Sequence, residues 1–185
     1  MSTTVLLVHS AGPQGQGEGS EPFATRLRDE LGPRYELLFP VMPSPEDPHF
    51  VAWSERLGQI LSQLEEPPVV VGHSLGGSVV LKHLAEDGPK EPIAGLVLVA
   101  TPFWGESGWQ AEWALPKGWP DASTPLPPTV LFHSRDDEEA PFEHLELYSK
   151  RLPGAEAHPV EGSGHLFDRG DLSEVGRAIR SLAPG

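Results

Sequence analysis

The sequence VVVGHSLGG places a serine, Ser74, between a run of valines and a stretch with the apolar spacing of a helix. A strand that turns sharply into a helix makes the serine hydroxyl project above the sheet, where it can attack a substrate. Gly72 and Gly76 lie two residues before and after Ser74, and they remove side chains that would collide with neighbouring backbone in such a turn. A glycine-rich turn without chemistry is the alternative, but the position between strand and helix favours a nucleophilic serine.

A serine hydroxyl becomes a strong nucleophile only beside a general base, which in such sites is commonly histidine. The chain has eight histidines, and His144, His158 and His165 are those that follow both the fifth predicted strand and the acidic turn after it. His165 ends a Gly-Ser-Gly-His turn after the last predicted strand, at the same sheet edge as Ser74. His144 falls in a helical pattern and is expected at the surface, and His158 falls inside a strand. We therefore predict His165 as the base, with an exposed loop histidine as the alternative.

The base in turn needs a carboxylate that orients its imidazole. In the chain order serine, acid, histidine this residue falls in the turn SRDDEEAP, which offers four carboxylates. Asp137 is predicted because the pattern D-x-x-A-P places it just ahead of a helix that starts at Pro141. Asp136 remains the alternative acid, and a turn that is merely acidic and solvated is the alternative to both.

Short apolar runs alternate with helical patterns along the whole chain. Ser20 is expected to cap the first helix with Pro22 in its first turn, and Asp47-Pro48 is expected to open the second helix. Strands separated by helices imply right-handed crossovers and a mainly parallel sheet of about six strands inside a three-layer α/β/α sandwich. The predicted strands cover residues 5–8, 35–39, 69–71, 93–100, 129–132 and 155–160.

Length and charge limit the classes of partner. A chain of 185 residues suits one domain over 1–185, and the formal net charge of −14 disfavours binding to nucleic acid or to anionic membranes. There is no cysteine, which excludes disulfides and thiolate chemistry and is compatible with a reducing cytosol. We expect neither a signal peptide nor a membrane span, and therefore a cytoplasmic protein. The oligomeric state stays open.

Residues 101–128 differ from the rest of the chain. They contain six prolines and four of the five tryptophans, and they are too long for a plain connection. One interpretation is a lid-like insertion whose aromatic residues line a substrate site, with Trp104 as the first candidate and Phe103, Trp109 and Trp113 as others. The alternative is a minor hydrophobic cluster that holds a long loop in place.

At these motifs the chain resembles the small serine hydrolases of the α/β-hydrolase superfamily, the group that includes retinoblastoma-binding protein nine and the bacterial YdeN-type proteins. The resemblance covers nearly the whole length and comprises VHSAG, GHSLGG, the S-x-D-D-x-x-x-P turn and the G-x-G-H turn. It implies the compact α/β-hydrolase fold and hydrolysis of a carboxylic ester or similar small acyl compound without a cofactor or metal. It implies a catalytic triad of Ser74, Asp137 and His165.

Two backbone N–H groups are expected to stabilise the oxyanion of the tetrahedral intermediate. The first is that of Leu75, because it follows the nucleophile at a helix N-terminus. The resemblance implies a second donor just after His9, at Ser10 or, by preference, at Ala11. The chain has His9-Ser10 where the superfamily often has His-Gly.

Three other functions compete with this interpretation. A non-catalytic binding protein would keep the fold without the activity, whereas this chain retains serine, acid and histidine in the expected order. A metal-dependent hydrolase would use several histidines, but they are scattered and no H-E-x-x-H spacing exists. An acyltransferase or perhydrolase would use the same triad with another nucleophile in place of water.

Overall fold

The computed structural model of the protein describes residues 2–86, 91–105, 111–121 and 125–184. Six strands form one sheet in the order β2-β1-β3-β4-β5-β6, and each of the five neighbouring pairs is parallel. The carboxyl ends of all six strands therefore meet at one edge of the sheet. The strands are β1 (Thr3–Val8), β2 (Tyr35–Leu38), β3 (Val69–His73), β4 (Gly95–Val99), β5 (Thr129–Ser134) and β6 (Glu156–Val160).

Helices cover both faces of the sheet. They are α1 (Glu21–Leu31), α2 (Phe50–Leu61), α3 (Leu75–Glu86), α4 (Glu143–Arg151) and α5 (Ser173–Leu182), with a 3₁₀ turn at Ala111–Trp113. The first and last helices pack together on one face, and α2, α3 and α4 lie on the other.

The central strands are buried on both faces, which explains their continuous apolar runs. In β1, Leu6 and Val8 face the core shared with α2 and α3, whereas Val5 and Leu7 face the core shared with α1 and α5. Successive side chains of a strand point to opposite faces, so a strand between two helical layers has no polar face. The three-layer α/β/α architecture and the parallel sheet of six strands confirm the predicted fold class.

Differences from the sequence prediction lie at the ends of elements. Helix α4 begins at Glu143, two residues after Pro141, and α2 begins at Phe50 rather than at Asp47-Pro48. Ser20 does occupy the N-cap position of α1, but its side chain makes no capping hydrogen bond, so the predicted cap is wrong. Its hydroxyl group instead hydrogen-bonds the Ser10 N–H and the His73 imidazole. No helix in the described part of the chain is long and apolar enough to span a membrane.

Candidate active site

Ser74 lies in the turn between β3 and α3, at the carboxyl edge of the sheet. Its backbone has φ of 52°, in the left-handed region that side-chain-bearing residues rarely occupy. Two hydrogen bonds hold this strained residue: its N–H donates to the Val99 carbonyl at 2.9 Å, and its carbonyl accepts from the Gly77 N–H at 3.0 Å. Strain of this kind persists only where surrounding contacts enforce it, and it is common at functional sites.

The two glycines on either side of Ser74 are required by close backbone packing. A Cβ at Gly76 would lie 2.1 Å from the Val8 carbonyl oxygen and 2.6 Å from that of His9. A Cβ at Gly72 would lie 2.5 Å from the Gly77 Cα. Helix α3 therefore begins almost in contact with the end of β1, which supports the predicted reason for both glycines.

His165 follows β6, and its imidazole reaches back to Ser74. Its Nε2 lies 2.8 Å from the Ser74 Oγ, and its Nδ1 lies 2.8 Å from the Asp137 Oδ2. Nδ1 must carry a proton to donate to a carboxylate, so Nε2 is left to accept the serine hydroxyl proton. Both Ser74 and His165 are buried, with 9% and 8% of their surface exposed.

Asp137 comes after β5, and both of its carboxylate oxygens are occupied. Oδ1 accepts the N–H groups of Glu139 at 2.9 Å and Ala140 at 2.8 Å, and Oδ2 faces His165. Burial by itself raises the pKa of this carboxyl, but hydrogen bonding from His133 and His165 outweighs it and holds the pKa below its usual range. Asp137 is thus a fixed carboxylate at neutral pH.

Asp136, the alternative acid, hydrogen-bonds groups other than the imidazole of His165. Its Oδ1 accepts the Ser134 hydroxyl and, at 3.1 Å, the Gly164 N–H. Hydrogen bonding from Ser134 and then from Gly164 lowers the pKa of this carboxyl. Asp136 therefore braces the turn that carries His165, whereas Asp137 contacts the imidazole itself.

The backbone of the loop after β1 distinguishes the two candidates for the second oxyanion donor. The Ser10 N–H donates to the Ser20 Oγ at 2.8 Å and is thereby occupied. The Ala11 N–H donates to no atom in the described part of the chain, and Ala11 lines the same cavity as Ser74 and Leu75. Leu75 is the first residue of α3, so its N–H has no partner within the helix.

A buried polar chain beneath the site escaped the sequence prediction. Ser20 Oγ lies 2.6 Å from the His73 Nδ1, and the His73 Nε2 lies 2.9 Å from the His165 carbonyl oxygen. Since Nε2 donates to that carbonyl, Nδ1 accepts the Ser20 hydroxyl proton. Burial lowers the pKa of His73 to about 3, so it stays neutral. The chain joins the loop at Ser10 to the backbone of His165.

The cavity in front of Ser74 has a volume of about 410 Å³ and an acidic rim. Among the described residues that line it, three carry carboxylates, Glu46, Asp47 and Glu139, and His165 is the one basic residue. Glu139 Oε2 lies 3.8 Å from the His165 Nε2. The cavity is lined by Ala11, Glu46, Asp47, Pro48, Ser74, Leu75, Pro102, Trp104, Trp113, Glu139, Ala140 and His165.

Trp104 and Trp113 supply the aromatic wall of this cavity, with ring centroids 6.3 Å apart. The Trp104 Nε1 donates to the Ser78 Oγ at 2.7 Å, which fixes the indole against α3. Phe103 is not part of this wall; it packs edge-on against Tyr148 with 5.0 Å between ring centroids. Trp109 lies outside the described residues.

His144 is buried, with 4% of its surface exposed, so its predicted surface position is wrong. It lies on the sheet-facing side of α4, where its Nδ1 accepts the Phe103 N–H at 3.1 Å. Burial lowers its pKa. Helical spacing alone did not reveal which face of α4 packs inward.

Two further features concern metal binding and a second cavity. Within the described ranges, no group of three or more His, Cys, Asp or Glu side chains is arranged to hold a metal ion. A larger cavity, about 570 Å³, lies between α2 and α3 and does not include Ser74, His165 or Asp137.

Comparisons with known proteins agree with this fold. The family model described as serine hydrolase matches residues 40–179, and the chain belongs to this family. The ydeN gene product of B. subtilis is similar in structure, with a TM-score of 0.74, 20% sequence identity, and coverage of 97% of this chain and 100% of that one. A putative YdeN-like hydrolase from Pectobacterium atrosepticum has a TM-score of 0.72 at 20% identity, over 99% and 94% of the two chains.

A more distant neighbour is the meta-cleavage product hydrolase of Pseudomonas fluorescens. It has a TM-score of 0.71 at 17% identity, over 98% of this chain and 90% of that one. At such identities the likeness concerns the fold alone. A search of curated protein sequences found no significant match. The family match makes the protein a member of the serine hydrolase family, and these neighbours show that it has the α/β-hydrolase fold.

Proposed function

We propose that the protein hydrolyses a carboxylic ester or a similar acyl compound through an acyl-enzyme on Ser74. The observation that carries this proposal is the continuous hydrogen-bonded series Asp137–His165–Ser74 beside an open cavity. An attacking group, a base and an orienting acid are thus in reach of one another, as acyl transfer requires.

The proposed reaction has two halves. His165 removes the Ser74 proton as Oγ attacks the acyl carbonyl, and it then returns the proton to the leaving alcohol. Water, activated by the same imidazole, attacks the acyl-enzyme and releases the acid. Asp137 holds the imidazole in the tautomer with Nδ1 protonated and stabilises its charged form during both halves.

The developing oxyanion is assigned to the N–H groups of Leu75 and Ala11. Two observations support the assignment: both residues line the cavity beside Ser74, and the N–H of Ser10 is occupied by Ser20. The positive end of the α3 dipole adds to the stabilisation at Leu75. Donors fixed in advance in this way make a large contribution to acyl-transfer catalysis.

The proposed substrate is a small molecule, and a cytoplasmic location is proposed with it. The net charge of −14 and the three carboxylates on the cavity rim repel phosphate backbones and anionic lipid surfaces. A cysteine-free sequence is compatible with a reducing compartment. Acyl transfer to an acceptor other than water would use the same acyl-enzyme and the same residues.

The test uses p-nitrophenyl esters of increasing acyl length on the wild-type protein and on Ser74→Ala. We expect hydrolysis of short-chain esters by the wild type and a fall of at least about 10³-fold in kcat for the variant, because the nucleophile is lost. Ser181→Ala is the matched control, since Ser181 is an exposed serine on α5 whose hydroxyl bonds the Ala178 carbonyl. Equal rates in wild type and Ser74→Ala would refute the assignment.

A further inference from the structure

A second buried imidazole, that of His133, contacts the carboxylate of Asp137. His133 lies near the end of β5 with 2% of its surface exposed. The proposed mechanism assigns it no step. Its ring packs edge-on against Phe142, at 6.1 Å between ring centroids and 88° between ring planes. A side chain this well packed has a defined orientation.

The turn after β5 that carries Asp137 is called the acid turn below. The Nε2 of His133 lies between two acceptors in this turn. It is 2.9 Å from the Ala140 carbonyl oxygen and 3.0 Å from the Asp137 Oδ2. Neither oxygen carries a proton to donate at neutral pH, so Nε2 is the protonated nitrogen. The N–H bonds the Ala140 carbonyl and has the carboxylate oxygen beside it as a second acceptor, a three-centre arrangement.

Oδ2 of Asp137 is thus shared between two imidazoles. The His165 Nδ1 approaches it at 2.8 Å and the His133 Nε2 at 3.0 Å. The same His133 N–H holds the Ala140 carbonyl, and the Ala140 N–H holds the Asp137 Oδ1 at 2.8 Å. His133 therefore closes a ring of contacts that fixes both oxygens of the acid.

We propose that His133 is a positioning residue, which fixes the Asp137 carboxylate and weakens its attraction for the proton on His165. This inference rests on the proposed function, since it concerns how the acid serves the base. A donor N–H beside a carboxylate stabilises negative charge on it, and the carboxylate then stabilises a neighbouring imidazolium less strongly. Loss of His133 should therefore leave Asp137 less precisely oriented while it still contacts His165, and should make the base easier to protonate.

Other ionisable groups face this cluster from several elements, and they stay constant when His133 is changed. Glu139 approaches His165 from the acid turn at 3.8 Å, and His144 on α4 interacts electrostatically with His133, with Asp137 and with its own neighbour Glu143. His73 at the end of β3 acts on His165 and Asp137, but burial lowers its pKa to about 3, so it remains neutral in an assay above pH 5.

Two variants separate the role of the N–H from the role of the ring. His133→Gln places an amide N–H where the imidazole Nε2 lies, and its two hydrogens can serve both acceptors. His133→Leu keeps an apolar side chain in the pocket and removes the donor. His158→Gln is the control, because His158 lies on β6, stacked on Phe132 with 5.1 Å between ring centroids, and has an exposed edge.

The measurement is the pH profile of kcat and KM for p-nitrophenyl acetate, with Ser74 labelling by a fluorophosphonate and a thermal melt to establish folding. For His133→Leu we expect kcat to fall about 10- to 100-fold with KM within about threefold of wild type. The midpoint of the acidic limb should move up by about half a pH unit or more. His133→Gln should restore kcat to within about threefold, and His158→Gln should match the wild type.

Two results would overturn the proposal: a leucine variant with wild-type kcat and acidic limb, or glutamine and leucine variants equally impaired with no shift of the limb. If the leucine variant does not fold, ¹⁵N spectra of the wild-type imidazoles decide, with His133 assigned from His133→Gln. A proton on Nδ1 instead of Nε2 of His133 contradicts the proposal. Loss of activity in Ser74→Ala together with an unaltered His133→Leu profile would refute this inference and leave the proposed function intact.

Discussion

The turn that carries Ser74, the proposed nucleophile, and the turn that carries Asp137, the proposed acid, are held in place by different forces. At Ser74 the constraint is steric: a left-handed residue, two glycines, and backbone packed so closely that a Cβ at Gly76 would meet the Val8 oxygen at 2.1 Å. At Asp137 the constraint is polar: two backbone N–H groups and two imidazoles surround one carboxylate.

This difference determines what a change in each turn does. A steric constraint is shared with the folding of the sheet, because the atoms that crowd Gly76 belong to the last residue of β1 and to His9, which follows it. A polar constraint is local, because each hydrogen bond can be removed while the core remains packed. We therefore expect changes at the packed glycines of the Ser74 turn to affect stability first, and changes to the hydrogen-bonding groups of the Asp137 turn to affect activity with the fold retained.

The largest effect on stability is expected for Gly76→Ala. Its Cβ would collide with two backbone oxygens that cannot move without displacing β1, and overpacking of this kind costs roughly 3 kcal/mol or more. Unfolding by urea, followed by circular dichroism, measures the loss. Gly58→Ala is the matched control on α2, where the nearest atom to a Cβ is 3.6 Å away, and we expect a gain of about 0.5–1 kcal/mol. Equal stability of the two variants would contradict the steric account.

Asp137→Asn should remove most of the activity while the protein remains folded. An asparagine can hold the wrong imidazole tautomer, and in serine proteases the corresponding change lowers kcat by about 10⁴-fold. Asp136→Asn is the matched control in the adjacent position. Since Asp136 bonds Ser134 and Gly164 rather than the imidazole, we expect a loss of kcat within about tenfold. If the asparagine at 136 were the more damaging, the acid would have to be reassigned.

A smaller effect is expected for Ser20→Ala, which tests the buried chain that joins the loop after β1 to the backbone of His165. The change leaves the Ser10 N–H and the His73 Nδ1 without their partner, so the loop after β1 loses its fixed position. We expect kcat to fall about three- to tenfold and stability to fall by about 1–3 kcal/mol. Ser62→Ala removes an exposed hydroxyl that bonds only the Gln59 carbonyl, and it should change neither quantity. An unchanged kcat in Ser20→Ala would mean that this chain does not position the site.

The turn at Ser74 was the easier of the two to predict from the sequence. Gly72 and Gly76 reveal it because close backbone packing excludes every other residue type, and the parallel sheet brings His165 to the same edge. The acid turn offers four carboxylates in a row, and only the directions of their side chains separate Asp137 from Asp136. The D-x-x-A-P pattern favours Asp137, but the directions themselves depend on hydrogen bonds with Gly164 and His165, which lie far along the chain.

The contacts of the buried polar groups around the site could not be predicted from the sequence. Ser20 and His73 are 53 positions apart in the chain, and each looks ordinary alone: one as a helix cap, the other as a neighbour of the nucleophile. His133 continues an apolar strand, and His144 follows a helical spacing that hides its burial. The role of each such polar residue depends on a partner that is far away in the sequence. The role can therefore be recognised only once the fold is known.

The central claim is that Ser74 is the group that attacks the substrate. The most direct measurement is the intact mass of the protein after treatment with a fluorophosphonate, with peptide mapping of the adduct. The account predicts one adduct per chain, located on Ser74, and none on Ser74→Ala under the same conditions. An adduct on another residue, or equal labelling of Ser74→Ala, would contradict it.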